Sequence, residues 1–497
     1  MNTRPQRIQI SSEIGQLQTL ASGVSQFELL RQENSGPIFF LGLGPIPLDT
    51  VEIANHFPTD RKIFYVESPH FLHAMPKGYV ENIPSHFQSI SPEEFAKSSQ
   101  QPCTIFRYRQ GMRLFPSFWS TPYAQALIPH PQKSTEVWIP TDGKDLLSGD
   151  ILHGFENNNC NVKRVQYNSI GELKQLLLTT SAPDIFFSIN GRGFDTYGEI
   201  ASMLHHAGTR TAMWFVDNPF NILSGFKAPF WKKTLLLCTD DWFIPALKDL
   251  GATTASHLPL AAAPHFFTPA PKNNEYSSLR DRIVFVGHSE FPAKKGFFAG
   301  CSTPDNFEQT ALANFAQGTK ANFSDFLQPE MPLWPGKALR APAYLAEETG
   351  RLWRTHCLNQ TPENLTIFGD AGWKDHLPNI SDIRPEVDYF TQLPAIYANA
   401  GINLNMTSPL LPNGLTQRHF DVWAAGGVLL TDYSRGLDIF PKELREQIYF
   451  TNPSEIPTKI QKISAPIYLE QLKIQWFEHI QKHHTYPQRT AAVLNFL

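Results

Sequence analysis

The stretch "INLNMTSPLLPNGLTQRHFDVWAAGGVLLTDY" (residues 402–433) contains a complete strand, loop, helix and strand pattern. The run INLNM (402–406) predicts a strand, and TQRHFDVWAA (416–425) predicts a helix with one apolar face. Two glycines then mark the C-terminal end of that helix, and VLLTD (428–432) predicts the next strand. A strand, a helix and a strand in this order indicate a parallel β-α-β unit.

The segment from 136 to 262 shows the same alternation over a longer distance. Its predicted strands are 136–141, 161–168, 183–190, 211–219, 233–240 and 256–262. Helical patterns separate several of them, such as 169–181, which Ser169 would cap, and 197–208, which Gly208 would end. Strands that alternate with helices of this length predict a parallel sheet that is covered on both faces.

A second α/β series follows the Pro-, Asn- and Ser-rich segment 268–278, which we interpret as a linker. Its predicted strands are 282–288, 365–370, 402–406, 428–432 and 447–450, with a mostly helical block up to about residue 360. The tail 468–484 has the period of an amphipathic helix, which could cross back onto the preceding domain. The predicted parts are therefore an accessory α/β domain (1–135), two Rossmann-like domains (136–267 and 279–465) and a C-terminal helical segment (466–497).

The N-terminal region contains an incomplete cofactor-binding pattern. The run GPIFFLGLGP (36–45) predicts a buried strand that enters a glycine turn, and RKIFYVES (61–68) predicts a strand that ends at Glu67. This outline is typical of nucleotide- or cofactor-binding units. Pro45 stands where a glycine-rich helix start should continue, so the sequence favours a structural turn. We interpret the region as a methyltransferase-like unit reused for acceptor docking or for contacts in a homo-oligomer.

The composition excludes several classes of protein. Hydrophobic residues make up 41% of the 497 residues, which permits a sizeable core and excludes a disordered chain. The net charge of −4 gives no electrostatic argument for nucleic acid or an anionic membrane as partner. No run approaches the roughly 18 apolar residues of a membrane span. The five cysteines are scattered, as expected of reduced thiols in a cytoplasmic protein.

The loop before the predicted helix 416–425 has the residues of an anion site. Gly414 lets the backbone approach a ligand closely, the Thr416 hydroxyl can donate a hydrogen bond, and Arg418 can pair with two oxygens at once. Free amides at a helix start suit a diphosphate. Asp421, one turn further, can accept both hydroxyls of a ribose. On the pattern alone, an ordinary crossover helix with solvent-facing Arg418 and Asp421 remains the alternative.

Polar side chains also follow two predicted strands of the 136–267 domain. Asn190 ends the predicted strand 183–190 and Asp195 follows it, and Asp217 and Asn218 come at the end of the next strand. Because the carboxyl ends of parallel strands share one edge, these groups could hold an acceptor or a sugar. Asn and Asp at strand ends also form turns, so a purely structural role remains open.

The segment RHFDVWAAGGVLLTDY (418–433) resembles the signature of the CgeB-like (spore-maturation type) glycosyltransferases. These are related to the group-1 retaining glycosyltransferases of GT-B fold, in which two glutamates with seven residues between them precede a small-residue helix and a strand. By this resemblance, Asp421 takes the position that holds the nucleotide ribose, and Asn413 takes the position that faces the donor sugar. The loop between them, with Gly414 and Leu415, would supply amides to the diphosphate. Both positions depart from glutamate, which leaves the donor sugar open.

The resemblance extends upstream from this segment. Residues 183–219 are similar to the N-terminal domain that accompanies CgeB-like modules, and RIVFVGHS (282–289) resembles the first strand of the donor domain. Together the similar segments cover roughly residues 180–450. The first 135 residues lie outside them.

Four residues at the end of the predicted strand 282–288, or shortly after it, complete the expected donor site. They are Gly287, His288, Lys294 and Lys295. One of the lysines could neutralise a departing diphosphate, which needs fixed positive charge as the glycosidic bond breaks. Two solvated surface lysines are the alternative interpretation.

The resemblance implies an α/β protein with two Rossmann-like domains in GT-B arrangement behind an additional N-terminal domain. It implies a glycosyltransferase that moves a sugar from a nucleotide-diphosphate sugar, with a UDP-sugar favoured, to a protein such as flagellin or to a surface glycan. Retention of configuration and no required metal follow from the same resemblance. An inverting enzyme would need a base, for which Asp217 and Asp195 are the candidates. A nucleotide-sugar epimerase and a non-catalytic scaffold remain the alternatives.

Overall fold

A computed structural model describes residues 8–143, 145–268, 275–329, 332–334 and 336–497. The chain forms two compact units. One comprises residues 1–144, 163–212 and 225–234, and the other comprises residues 145–162, 213–224 and 235–497. Most of the predicted linker, at 269–274, lies outside the described residues.

The N-terminal region folds around a five-stranded sheet. In spatial order its strands are Phe27–Arg31, Thr104–Tyr108, Ile38–Leu41, Ile63–Val66 and Phe87–Ser89. The edge strand Phe27–Arg31 pairs antiparallel with Thr104–Tyr108, and all other neighbouring strands pair in parallel. The helices of this region are Leu48–Ala54, Pro69–Ala74, Pro92–Ser98, Gly111–Leu114 and Pro116–Leu127. Two short antiparallel strands, Gln9–Ser11 and Leu17–Thr19, precede the sheet.

The glycine turn of this region is held by its own acidic residue. Gly42 and Gly44 have φ values of +84° and +67°, in the region that favours glycine. The Glu67 carboxylate accepts hydrogen bonds from the backbone amides of Leu43 (2.8 Å) and Ser68 (2.9 Å). Burial raises the pKa of Glu67 to about 7. Glu67 therefore joins the turn to the neighbouring strand, in the structural role that the sequence favoured.

The middle sheet has six strands. Their spatial order is Ala255–His257, Leu235–Cys238, Arg210–Phe215, Ile185–Ile189, Glu136–Thr141 and Asn161–Gln166. The accompanying helices are Ser148–Asn157, Ile170–Thr179, Glu199–His206, Pro219–Leu223 and Phe243–Asp249. The predicted caps are confirmed: the Ser169 hydroxyl accepts a hydrogen bond from the Glu172 amide (3.3 Å), and Gly208 has a φ of +78°.

The C-terminal sheet also has six strands, and every pair is parallel. Their spatial order is Ile383–Arg384, Leu365–Phe368, Ile283–Val286, Ile402–Asn405, Leu429–Asp432 and Tyr449–Phe450. The helices of seven or more residues in this part of the chain are Phe307–Ala316, Lys337–Asn359, Leu393–Asn399, Arg418–Ala424, Ile456–Ile463, Pro466–His483 and Tyr486–Phe496. The shorter ones are Lys294–Phe297, Phe323–Phe326, Trp373–His376 and Lys442–Arg445.

The predicted crossover helix and the predicted tail helix pack against each other. The crossover helix spans Arg418–Ala424, and Gly426 ends it with a φ of +74°. Trp423 stacks on Trp476 of the tail helix Pro466–His483, with ring centroids 4.7 Å apart and an interplanar angle of 8°. Both indoles are buried.

These sheets confirm the predicted fold class, a mixed α/β protein with Rossmann-like parallel sheets. The domain bounds given above stay predictions. Among the described residues, no helix is both long enough and apolar enough to cross a membrane. None of the five cysteines forms a disulfide.

We expect Trp476→Ala to lower the free energy of unfolding by about 3–5 kcal/mol, because it removes a buried indole and leaves a cavity against Trp423. Urea unfolding measures this change. Ile474→Ala is the matched control on the same helix, since Ile474 is 57% exposed. Equal losses in the two variants would contradict the stacking role.

Candidate functional site

The strand order of the C-terminal sheet reverses at its centre. Ile283–Val286 is the first strand of this sheet in the chain; the next strand pairs on one side of it, whereas Ile402–Asn405 pairs on the other. Open parallel sheets bind ligands outside the carboxyl ends of the strands at such a reversal. A ligand site is therefore expected beside Val286 and Asn405.

Arg418 reaches both of these strand ends from the crossover helix. Its Nη2 donates to the Val286 carbonyl (2.5 Å) and its Nη1 donates to Asn405 Oδ1 (3.3 Å). A Cβ on Gly287 would lie 3.1 Å from Nη2, so glycine leaves room for the guanidinium. The Nε–H is buried and has no hydrogen-bond partner in the described part of the chain. The residue proposed from sequence as an anion partner thus stands at the reversal point.

A second guanidinium, that of Arg354, contacts the same loop from the helix Lys337–Asn359. Its Nη2 donates to the Ser289 carbonyl (3.0 Å), and the same Nη2 lies 3.7 Å from Glu347 Oε1. Burial lowers the pKa of Arg354, and the neighbouring charge of Arg418 lowers it further. Like Arg418, it has a buried Nε–H without a partner among the described residues. Two like charges close together favour an anionic ligand.

The other predicted residues of this loop have partners of their own. His288 Nε2 lies 3.0 Å from Glu386 Oε1. Lys294 is buried and forms ion pairs with Glu290 (2.7 Å) and Glu348. Lys295 is exposed to solvent. The two lysine charges are therefore paired or solvated, and the contact of either one with a diphosphate stays a prediction.

The amides of the loop 413–417 mostly have acceptors inside the protein. The Asn413 amide donates to Asp240 Oδ2 (2.9 Å), and the Gly414 amide donates to the Leu411 carbonyl (3.2 Å). Leu415 is buried. The Thr416 amide donates to Nδ1 of the buried His419 (3.0 Å), while its hydroxyl lies 3.3 Å from Asn405 Oδ1. The role of these amides toward a diphosphate stays a prediction.

Asp421 is 1% exposed, and its carboxylate is fully engaged. One oxygen accepts from the Tyr389 hydroxyl (2.8 Å); the other accepts from the Ala263 amide (3.1 Å) and from Gln417 Nε2 (3.1 Å). Burial raises the pKa of Asp421 to about 8. Contact with a ribose, as predicted from the resemblance, would require Tyr389 to move.

The strand-end residues of the middle sheet are placed mainly in turns. Asp195 accepts from the amides of Tyr197 (3.0 Å) and Ile200 (2.8 Å) at the start of a helix. Asn218 caps the helix Pro219–Leu223, and its Nδ2 donates to the Leu410 carbonyl (3.0 Å). Asp217 is exposed, and Asn190 has a φ of +53°. Asp195 and Asn218 therefore have structural partners of their own, and the roles of all four residues toward an acceptor or a sugar stay predictions.

A cavity of about 300 Å³ opens beside the loop that carries Asn413. Asp432, at the end of its strand, is 2% exposed and accepts from Lys320 Nζ (2.5 Å), Trp353 Nε1 (2.9 Å) and the Thr407 amide (2.8 Å). All of these residues line the cavity. The pocket thus combines an aromatic ring with several polar groups, as ligand pockets commonly do.

Sequence reasoning missed Arg354, Lys320, Asp240 and Asp241. Arg354 lies in a helix and Lys320 lies near one. From sequence alone, a charged residue at such a position is normally assigned to the solvent-exposed face of the helix. Asp240 and Asp241 follow the strand Leu235–Cys238, and this strand-end position was the available signal. Within the described ranges, no group of three or more His, Cys, Asp or Glu side chains could hold a metal ion.

Residues 351–495 match the family model described as "Glycosyl transferase-like". The matched segment is less than a third of the chain, and it contains both Arg354 and Arg418. No curated protein sequence matches the chain. The C-terminal part of the chain is therefore glycosyltransferase-like.

Several solved structures are similar to this chain. Anabaena Alr3699/HepE in complex with UDP-glucose is 9% identical with a TM-score of 0.43, over 73% of this chain and 100% of that chain. T4 phage β-glucosyltransferase is 10% identical with a TM-score of 0.37, over 70% and 94% of the two chains. The α,α-trehalose 6-phosphate synthase of Burkholderia multivorans is 11% identical with a TM-score of 0.36, over 79% and 83%. All three TM-scores lie below 0.5.

The raised pKa of Asp421 predicts a pH-dependent stability. Between the ordinary pKa of an aspartate and about 8, the folded state keeps the proton that the unfolded state releases, so stability falls as pH rises through this window. Asp421→Asn removes this contribution. We expect the unfolding free energy of the wild type, relative to that of the variant, to fall between pH 5 and pH 8. Urea unfolding of both proteins at these pH values measures it; a constant difference would contradict the buried, protonated carboxyl.

Proposed function

We propose that this protein is a glycosyltransferase that binds a nucleotide-diphosphate sugar at the carboxyl edge of its C-terminal sheet. The observation that carries the proposal is the placement of the Arg418 and Arg354 guanidiniums at the reversal of the strand order. Each has a buried Nε–H without a partner in the described residues. A diphosphate would supply the acceptors that both Nε–H groups lack.

The chemistry of sugar transfer explains why two fixed positive charges are useful there. As the bond between the anomeric carbon and the diphosphate oxygen breaks, its electron pair moves to the diphosphate. The acceptor oxygen forms the new bond to that carbon and loses its proton. In a retaining reaction, which the family resemblance favours, the departing phosphate takes this proton. Guanidiniums that are already oriented and partly desolvated stabilise the developing charge without reorganisation.

The finer parts of the proposal come from the resemblance. A UDP-sugar is the favoured donor, and a protein or a surface glycan is the favoured acceptor. The GT-B arrangement of the two Rossmann-like domains and a metal-independent reaction belong to the same proposal. In it, the arginine pair provides the positive charge toward the diphosphate.

We expect Arg418→Gln and Arg354→Gln each to weaken UDP binding about 10- to 100-fold, because each removes a charge-assisted hydrogen bond. Isothermal titration calorimetry with UDP measures the affinity. Lys442→Gln is the charge-matched control on the same domain, since the Lys442 side chain is 69% exposed. Wild-type affinity in both arginine variants would overturn the donor-site assignment.

A non-catalytic scaffold is the second candidate. Two features favour it: the Asp421 carboxylate already accepts from Tyr389, and the Asn413 amide already donates to Asp240. A nucleotide that binds only the folded state stabilises it by RT ln(1 + [L]/Kd), which raises the melting temperature. We expect UDP, and not S-adenosylmethionine, to raise the melting temperature of the wild type. Absence of any shift with UDP, GDP, ADP, CMP and TDP would favour the scaffold instead.

An epimerase and a transferase differ in the fate of the nucleotide. Transfer releases free UDP only as the acceptor is glycosylated, whereas epimerisation converts the sugar and leaves it attached. Chromatography of the nucleotides after incubation with UDP-sugars separates these outcomes. Conversion of one UDP-sugar into another would contradict the proposed transfer.

A further inference from the structure

A second cavity, of about 450 Å³, lies in the unit that contains the N-terminal region and part of the middle sheet. Every described residue that lines it belongs to that unit, whereas Arg354 and Arg418 belong to the other. Its volume falls within the range of roughly 300–1,000 Å³ that small-molecule pockets have. The cavity can therefore hold a small ligand, and its residues are distinct from those of the proposed diphosphate site.

Two helices, Pro116–Leu127 and Glu199–His206, line this cavity with polar side chains. Each contributes three of them, at the three- and four-residue spacing that places side chains on one helix face. These six are Ser117, Ser120, Thr121, Ser202, His205 and His206. Helices normally turn apolar faces toward the protein, so hydroxyls and imidazoles around a cavity between two helices indicate a polar ligand.

Both imidazoles are held in place through one of their nitrogens. His206 Nε2 lies 2.9 Å from the Ile128 carbonyl, which can only accept, so this nitrogen carries a hydrogen. His205 Nε2 lies 2.9 Å from the Thr211 hydroxyl. Within the described ranges, the second nitrogen of each ring has no hydrogen-bond partner. The two rings are therefore oriented by the protein and keep capacity for a ligand.

The charge of the cavity wall is positive. Lys233 lines the cavity, and none of the described lining residues is Asp or Glu. In the described part of the chain, no carboxylate pairs with Lys233. Burial lowers the pKa of His205, and the nearby charge of Lys233 lowers it further. Two nearby carboxylates are already engaged: Glu13 accepts from Ser117 Oγ (2.9 Å), and both oxygens of Glu199 form ion pairs. An anionic group would therefore find an uncompensated positive charge here.

The apolar part of the wall includes an aromatic ring in a fixed position. Phe230 packs against the rings of Phe194 and Phe226, with centroids 5.1 Å and 5.0 Å away. Gly198 has a φ of +78°, and a Cβ there would lie 2.8 Å from Phe230 Cδ1, so glycine allows the ring this position. Tyr197 adds a second ring to the wall. Aromatic rings beside hydroxyls and imidazoles suit a sugar, which has an apolar face and a rim of hydroxyls.

We infer that this cavity binds an anionic sugar, a monosaccharide unit that carries a carboxylate or a phosphate. Lys233 pairs with the anionic group, Phe230 packs against the sugar ring, and the hydroxyls and imidazoles bind the sugar hydroxyls. The inference goes beyond the proposed function and does not rest on it, because no residue of the proposed UDP site takes part. It gives a binding role to a part of the chain outside the glycosyltransferase-like segment 351–495.

Isothermal titration calorimetry of the full chain tests the ligand class. The probes are glucuronic acid, galacturonic acid, glucose 6-phosphate, glucose and inorganic phosphate. We expect an acidic sugar to bind at least about tenfold more tightly than glucose and inorganic phosphate, because only it uses both the ammonium and the aromatic ring. Glucose that binds as tightly overturns the anionic ligand, and phosphate that binds as tightly overturns the sugar. Absence of binding by all three acidic sugars at about 10 mM overturns the site.

The variant Lys233→Gln tests the location. Lys233 is exposed, so its substitution costs little packing, and we expect it to weaken binding of the acidic sugar about tenfold. Lys232→Gln is the matched control. It removes the same charge from the next residue, which lies over the Trp231 ring and does not line the cavity. Equal losses in the two variants, or no loss in Lys233→Gln, overturn the assignment; unchanged melting temperatures show that both variants fold.

The two proposals fail separately. A wild type that binds UDP but no acidic sugar overturns this inference and leaves the proposed function standing. A wild type that binds an acidic sugar but no UDP overturns the proposed function and leaves this site in place.

Discussion

The hydrogen bonds of Arg418 to the Val286 carbonyl and to Asn405 are the interaction on which the site depends. They tie the helix Arg418–Ala424 to the two strands where the order of the C-terminal sheet reverses. Because the helix is fixed there, the loop before it must pass over the carboxyl edge of the sheet. That path brings Asn413 to Asp240 and Asp241, and to the wall of the cavity.

Carboxylates with little solvent around them hold several loops in place. Glu67, Asp240 and Asp421 each accept backbone amide hydrogen bonds in places with little solvent, and burial raises the pKa of all three. Each ties together segments that are distant in the sequence. A residue type that sequence reasoning assigns to ligands therefore serves here largely to hold loops, because an unpaired buried amide is costly.

The sequence predicted the regular elements better than the site. Strands such as Glu136–Thr141 and Leu429–Asp432 follow from apolar runs, and the cap at Ser169 follows from local chemistry. Arg418 was proposed because it stands next to a recognisable loop. Arg354 and Asp241 were not, since their roles depend on contacts with residues more than 60 positions away. The hydrogen bond from the Tyr389 hydroxyl to Asp421 likewise could not be predicted from the sequence pattern.

The stacking of Trp423 on Trp476 makes the helix that presents Arg418 depend on the tail helix Pro466–His483 for support. The tail helix covers the apolar face of the same helix that presents Arg418. A premature stop codon after residue 465 would remove no side chain placed in the site. It would nevertheless expose a buried indole and release the helix from one of its supports, so a loss of activity from such a lesion would be a matter of scaffolding and not of chemistry.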